Sequence, residues 1–238
     1  MCIFARFNVF SWMNFLKRIY IWCKRFRCRR GYGVHSPFAF QLITDIVYER
    51  LPYYAYGELK AMRRSLPRGV ALYPERVDKL LFRLVNYLRP QSILEVGTGA
   101  GLSLCYMASG RVGARCVSLP GEGASVVVAE CVDSCENVTV VTGPLMETLQ
   151  KELALEPKVD FLHIAHTDDY AQVLEKFFPH ATEKSVVVIE GIYDTRAKQE
   201  WWRGVVADER TGITFDLYDV GLVFFDSAKN KQHYVVNF

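Results

Sequence analysis

No aspartate or glutamate occurs in the first 44 residues, although that stretch carries eight of the chain's 29 Lys and Arg. All 26 acidic residues lie beyond it, so a net charge of only +3 conceals a basic arm on a mildly acidic body. Such an arm suits anionic lipid, nucleic acid or an acidic protein surface. Also missing is any CxxC pair, or a histidine spaced to complete a zinc site: the seven cysteines stand at 2, 23, 28, 105, 116, 131 and 135. A zinc ribbon and a disulfide framework are thereby disfavoured, and a reduced, cytosolic setting is expected. No run approaches the ~18 to 20 apolar residues that span a bilayer. Arg6, Asn8, Asn14 and Lys17 interrupt the aromatic opening stretch, which also has neither the basic start nor the small-residue cleavage site of a secretory leader. Internal repeats and low-complexity tracts are absent.

What is present suits one large α/β domain with an appendage, since half of the 238 residues are apolar. At 100° per residue, positions 12 to 26 place Trp12, Phe15, Leu16, Ile19, Cys23 and Phe26 on one helix face, with Lys17, Arg18, Lys24 and Arg25 largely opposite. Gly31 and Gly33 end this basic amphipathic helix. Its apolar face is expected to be covered by the body or by a second subunit, the latter giving a homo-oligomer, with a membrane surface or nucleic acid as secondary partners. Ser36 and Pro37 then read as cap and first turn of a second helix ending before Pro52, and a third helical stretch spans 57–66. Residues 1–70 thus form a helical basic extension. The α/β domain follows over 71–238.

Val77, Leu80, Leu81, Leu84, Val85 and Leu88 fall at the spacing of a core-facing helix stopped by Pro90. Beyond it, short apolar strands alternate with helical segments, the signature of a parallel sheet covered on both faces. The last two strand-like runs, ITFDLYDVGLVFF and QHYVVNF, flank the turn DSAKNK and are expected to close the sheet as an antiparallel hairpin.

The run ILEVGTGAGLS, residues 93–103, leads straight from the first strand into a helix. Gly97, Gly99 and Gly101, with Thr98 among them, allow a sharp turn and close backbone approach to a ligand, and the freed amides at the helix start can hold a carboxylate or phosphate. Glu95 at the strand end can accept from an ammonium or hydroxyl. A dinucleotide fingerprint would need glycine at position 102, where Leu stands, so the spacing favours a methyl donor.

EVGTGAG with its flanks resembles motif I of the class I methyltransferases. RGYGVHSPFAFQLI and the terminal DVGLVFF with KQHYVVNF are similar to a family of bacterial, mainly Bacteroidetes-type, S-adenosylmethionine (SAM)-dependent methyltransferases, over roughly residues 30 to 238. The resemblance implies a Rossmann-like, seven-stranded, mostly parallel sheet of order 3-2-1-4-5-7-6 with the seventh strand antiparallel. It further implies SAM over the C-terminal edges of strands 1, 2 and 4, held by Glu95, Gly97, Thr98, Gly99, Gly101 and Glu122. Three positions depart from that pattern. Pro120 stands where a ribose-binding carboxylate is expected, leaving Glu122 as its substitute, and Pro144 replaces an adenine-contacting acid. Ala165 replaces the aspartate that helps hold a divalent cation in catechol-type O-methyltransferases, and Gly191 follows Glu190 where a second ligand would stand, so no metal is expected. Of the two histidines near the fourth strand, one is expected to be partly buried and one in a loop. His166 and Asp168 sit where an acceptor would dock and are the catalytic candidates, His166 as base. The leading reading is SAM-dependent transfer to a heteroatom of a small molecule. The alternative is a catalytically degenerate protein that keeps the fold for binding or scaffolding.

Overall fold

The computed structural model describes residues 16, 18–67, 72–120, 132 and 135–238. Eight strands form one sheet in the order β3-β2-β1-β4-β5-β7-β6-β8. They are β1 (Ser92–Val96), β2 (Arg115–Leu119), β3 (Val138–Val140), β4 (Phe161–Ile164), β5 (Val186–Glu190), β6 (Thr214–Asp216), β7 (Val220–Phe224) and β8 (His233–Val235). β7 alone runs against its neighbours, so the order and polarity implied by the resemblance are realised, with an eighth strand added beyond β6.

The ending differs from the expected hairpin. The antiparallel turn falls inside the first apolar run, where Tyr218 (φ 72°) lets the chain reverse between β6 and β7. QHYVVNF instead lies parallel to β6 at the sheet edge, because residues 225–232 carry it back across the hairpin before it pairs.

Helices cover both faces. On one lie α2 (Pro37–Gln41), α3 (Tyr56–Ser65), α4 (Glu75–Leu88) and α5 (Leu102–Gly110), packed on Ile93, Phe161, Val186 and Val188. On the other lie α6 (Leu145–Leu155), α7 (Tyr170–Phe177) and α8 (Arg196–Ala207), packed on Leu94, Val96, Leu162, Ile164, Val187 and Ile189. β1, β4 and β5 are buried throughout because neither face meets water. The expected apolar stripe of α4 is buried from Val77 to Val85. α2 begins as predicted, with the Ser36 hydroxyl accepting from the Ala39 amide ahead of Pro37, but widens into a π-helical turn over Leu42–Val47. Arg83 explains how that turn ends: its guanidinium donates to the carbonyls of Ile46 (2.7 Å) and Val47 (3.2 Å), which no further helical turn satisfies.

Residues 18–24 form α1, the described part of the basic arm; Trp12, Phe15 and Lys17 lie outside the described residues. Its docking inverts the amphipathic expectation. Arg18 donates both terminal nitrogens to Asp219 (3.0 and 3.3 Å), and Arg25 grips Asp216 (2.8 and 3.1 Å) and the Tyr193 hydroxyl (3.1 Å). Leu16, Ile19, Trp22 and Phe26 remain 44 to 55 % exposed within the single chain. Among the described residues the acidic β6–β7 turn pairs otherwise only with Arg76, so it recruits the arginines of the arm and turns the apolar side outward.

Candidate functional site

Parallel strands bring the C-terminal ends of β1, β4 and β5 to one edge, where the chain leaves β1 for the glycine loop. Gly97 (φ 81°) and Gly101 (φ 78°) adopt the left-handed conformation that side chains resist, and Gly101 caps α5. A Cβ at Gly97 would stand 2.8 Å from the His166 backbone, so the loop and the end of β4 can meet only through glycine. The contact is locked by backbone bonds from Ala165 to Val96 and from His166 to Gly97, each 2.9 Å.

The expected contacts are partly rearranged. Glu95 is 1 % exposed and faces inward, where one oxygen accepts from His163 Nδ1 (3.0 Å) and the other from the Thr98 hydroxyl (3.1 Å). Thr98 in turn meets Ser118 on β2 (2.5 Å). Glu190 approaches His163 Nε2 at 3.2 Å, off the hydrogen-bond axis, so its two buried oxygens have no hydrogen-bond partner. Burial alone would lower the His163 pKa, but the flanking carboxylates outweigh it and hold the imidazole protonated, its pKa raised to about 10. The two histidines divide as expected, one interior and one in a loop, except that His163 is wholly enclosed.

His166 is exposed, yet its ring rests on the glycine loop: a Cβ at Gly99 would lie 2.6 Å from it. The Tyr73 ring lies against its other side, 4.9 Å between centroids and 30° between planes. Tyr73 donates to Asp194 (3.2 Å), and Asp194 crowds Gly191, itself at φ 63°. Burial, Glu190 and Asp194 all push the Tyr73 pKa up. Asp168 is exposed and makes no hydrogen bond with His166. Glu122 lies outside the described residues. Among the described residues no group of three or more metal-ligating side chains converges, and no helix is long and apolar enough to cross a membrane.

Three groups near this edge escaped the sequence reading. Asp78 on α4 is 2 % exposed, receives Ser103 (2.9 Å) and Arg63 (2.5 Å), and burial lifts its pKa to about 7. Lys198 on α8 is buried with its ammonium 4.9 Å from the Tyr170 ring, and burial lowers its pKa against the pull of Asp194, Glu190 and Asp168. Tyr73 precedes α4 outside any periodic pattern. Asp78 alone left a trace, as a charged residue adjoining the buried helix stripe.

No family model matches the sequence, and no curated protein matches it at a significant level. Solved structures do. An SAH-bound methyltransferase from Podospora anserina is 15% identical over 81% of this chain and 97% of its own, with a TM-score of 0.61. An O-methyltransferase from Bacillus cereus in complex with SAH is 18% identical over 77% of this chain and 96% of its own (TM-score 0.56). An O-methyltransferase from Streptomyces achromogenes in complex with SAM is 17% identical over 74% and 91% (TM-score 0.56). At these identities the likeness defines the fold, which is the α/β Rossmann-like methyltransferase fold.

Proposed function

We propose that the chain is a SAM-dependent methyltransferase acting on a heteroatom of a small molecule, in the manner of the O-methyltransferases it resembles in fold. The observation that carries the reading is the glycine loop, with Gly97 and Gly101 in the left-handed conformation at the sheet edge and the amides at the start of α5 left for a ligand. The donor set fits SAM. The loop amides suit its carboxylate, and two carboxyls line the same cavity, Asp78, bonded to Arg63 and Ser103, and Glu95, bonded to His163 and Thr98. The cavity between Asp78, Gly99, Gly101 and Ser103 encloses only about 10 Å³, far below the few hundred Å³ of a ligand pocket. The rings filling that space belong to His166 and Tyr73, and His166, being exposed, can swing outward without unpacking the core.

When bound, SAM supplies an electrophilic methyl group on a sulfonium. The chain's work is then to align the acceptor and receive its proton. His166, exposed beside the glycine loop, is the group proposed to take the proton. Asp168, exposed and not hydrogen-bonded to His166, is proposed to add charge at the rim.

Calorimetric titration with SAM and with S-adenosylhomocysteine tests this, comparing the full chain with His166→Ala. Both proteins should bind, the variant several-fold more tightly because nothing need be displaced. Binding by neither would sink the reading. The degenerate alternative would then stand, and the enclosure of Glu95 together with Ala165 favours it.

A further inference from the structure

Away from the glycine loop, an open pocket of about 890 Å³ lies between the arm, the start of α4 and residues 237–238. Five arginines line it, Arg27, Arg29, Arg30, Arg50 and Arg76, and no acidic residue does. Arg76 is paired with Asp219; the other four have no carboxylate partner among the described residues. The facing wall is aromatic and comes from the outward side of α1 and the turn after it, with Trp22 46 % and Phe26 47 % exposed. Arg29 lies flat on the Phe26 ring, 3.6 Å from its centroid. The same helix side continues past the pocket rim through Ile19 and Leu16, both exposed.

We propose that this pocket and helix side form a docking site for an anionic phospholipid surface. Guanidinium groups are rigid forks that match phosphate oxygens, and four crowded without counter-charge repel one another until an anion enters. The adjoining aromatic and aliphatic side chains suit the boundary between headgroups and acyl chains, where a basic amphipathic helix lies flat. A free phosphate would leave most of the volume and the whole apolar wall unused. A nucleic acid could stack on Trp22 and Phe26 but has no use for Ile19 and Leu16. A second copy meeting the pocket about a two-fold axis would set arginines against arginines. The proposal is independent of the methyl-transfer reading.

Sedimentation of the full chain with vesicles of phosphatidylcholine, with and without phosphatidylserine, is the test. The chain should pellet with the anionic vesicles, and less as salt rises. The variant Arg27→Gln/Arg30→Gln/Arg50→Gln should bind them about tenfold more weakly or worse. Ile19→Ala/Trp22→Ala should weaken binding at every salt concentration. These positions are exposed, so both variants should keep the parent melting temperature. Equal pelleting with neutral vesicles, or an unaffected arginine variant, overturns the proposal. So does release from vesicles by millimolar inorganic phosphate, which marks a free-phosphate site, or arginine-dependent binding of an RNA oligonucleotide without vesicle binding.

Discussion

Glu95 and Glu190 reach one imidazole from opposite sides: the first lies 3.0 Å from Nδ1 of His163 and the second 3.2 Å from Nε2, with all three side chains 1 % exposed or less. Two buried acids on the strands that flank β4 are thus tied together by a single cation on β4 itself. Replacing His163 with alanine should cost ~3–5 kcal/mol, the penalty for leaving buried charge uncompensated. At about 2–4 °C per kcal/mol for a chain of this size, the melting temperature should fall by on the order of 10 °C. Adding Glu95→Gln and Glu190→Gln should restore part of it. An unchanged melt in the single variant would mean that the carboxylates are neutral.

The same triad sets a pH dependence. The folded pKa of His163, about 10, is raised above its ordinary 6.5, so its contribution is complete below about pH 6.5 and is lost as pH rises toward 10. Urea unfolding across that window should show the native chain losing stability relative to the His163→Ala variant. Parallel curves would remove His163 as the cause.

Gly191 offers a separate test of the cleft rim. An alanine there would be strained at φ 63° and would place Cβ 1.9 Å from Asp194 Oδ2 and 2.7 Å from the Tyr73 hydroxyl. We expect Gly191→Ala to destabilise by ~1–3 kcal/mol, with the backbone strain persisting when Asp194 is also made alanine. Full recovery in the double variant would assign the cost to the side-chain clash alone.

The arm should matter to the body. Arg25→Ala removes a half-buried guanidinium from Asp216 and should cost ~1.5–3 kcal/mol, whereas Arg18→Ala, whose guanidinium is exposed, should cost under about 1 kcal/mol. A chain beginning at Gly31 should melt at least as low as the Arg25 variant. Equal melting of all four proteins would show that the arm is an ornament.

Local pattern made the glycine loop and α4 legible, because a left-handed turn demands glycine and a buried helix face demands period 3.6. The sheet order came through the resemblance. His163 was not placed because its partners lie 68 and 27 residues away, and only strand register makes Glu95 the neighbour of His163. Glu95 lines the glycine-loop cavity and also bonds His163 and Thr98, contacts that nothing local in the sequence announces. The docking of the arm through Arg18 and Arg25 is not legible in the sequence, since their partners, Asp219 and Asp216, belong to a distant acidic turn that no periodicity links to it. The terminal hairpin was shifted because an eight-residue return path reads as well for a turn as for a crossover.

Asn237 ties the arm down from the far end of the described chain. Its amide donates to the Cys28 carbonyl (2.9 Å) and its side chain to the Trp22 carbonyl (3.1 Å), while the Tyr48 hydroxyl donates to the Asn237 carbonyl. During synthesis the arm precedes its anchors at Asp216, Asp219 and Asn237, so those contacts close loops of 191 to 215 residues. For most of translation the arginines are therefore uncommitted cations on a nascent chain. The arm's seat on the body is decided only when β6, β7 and Asn237 have left the ribosome.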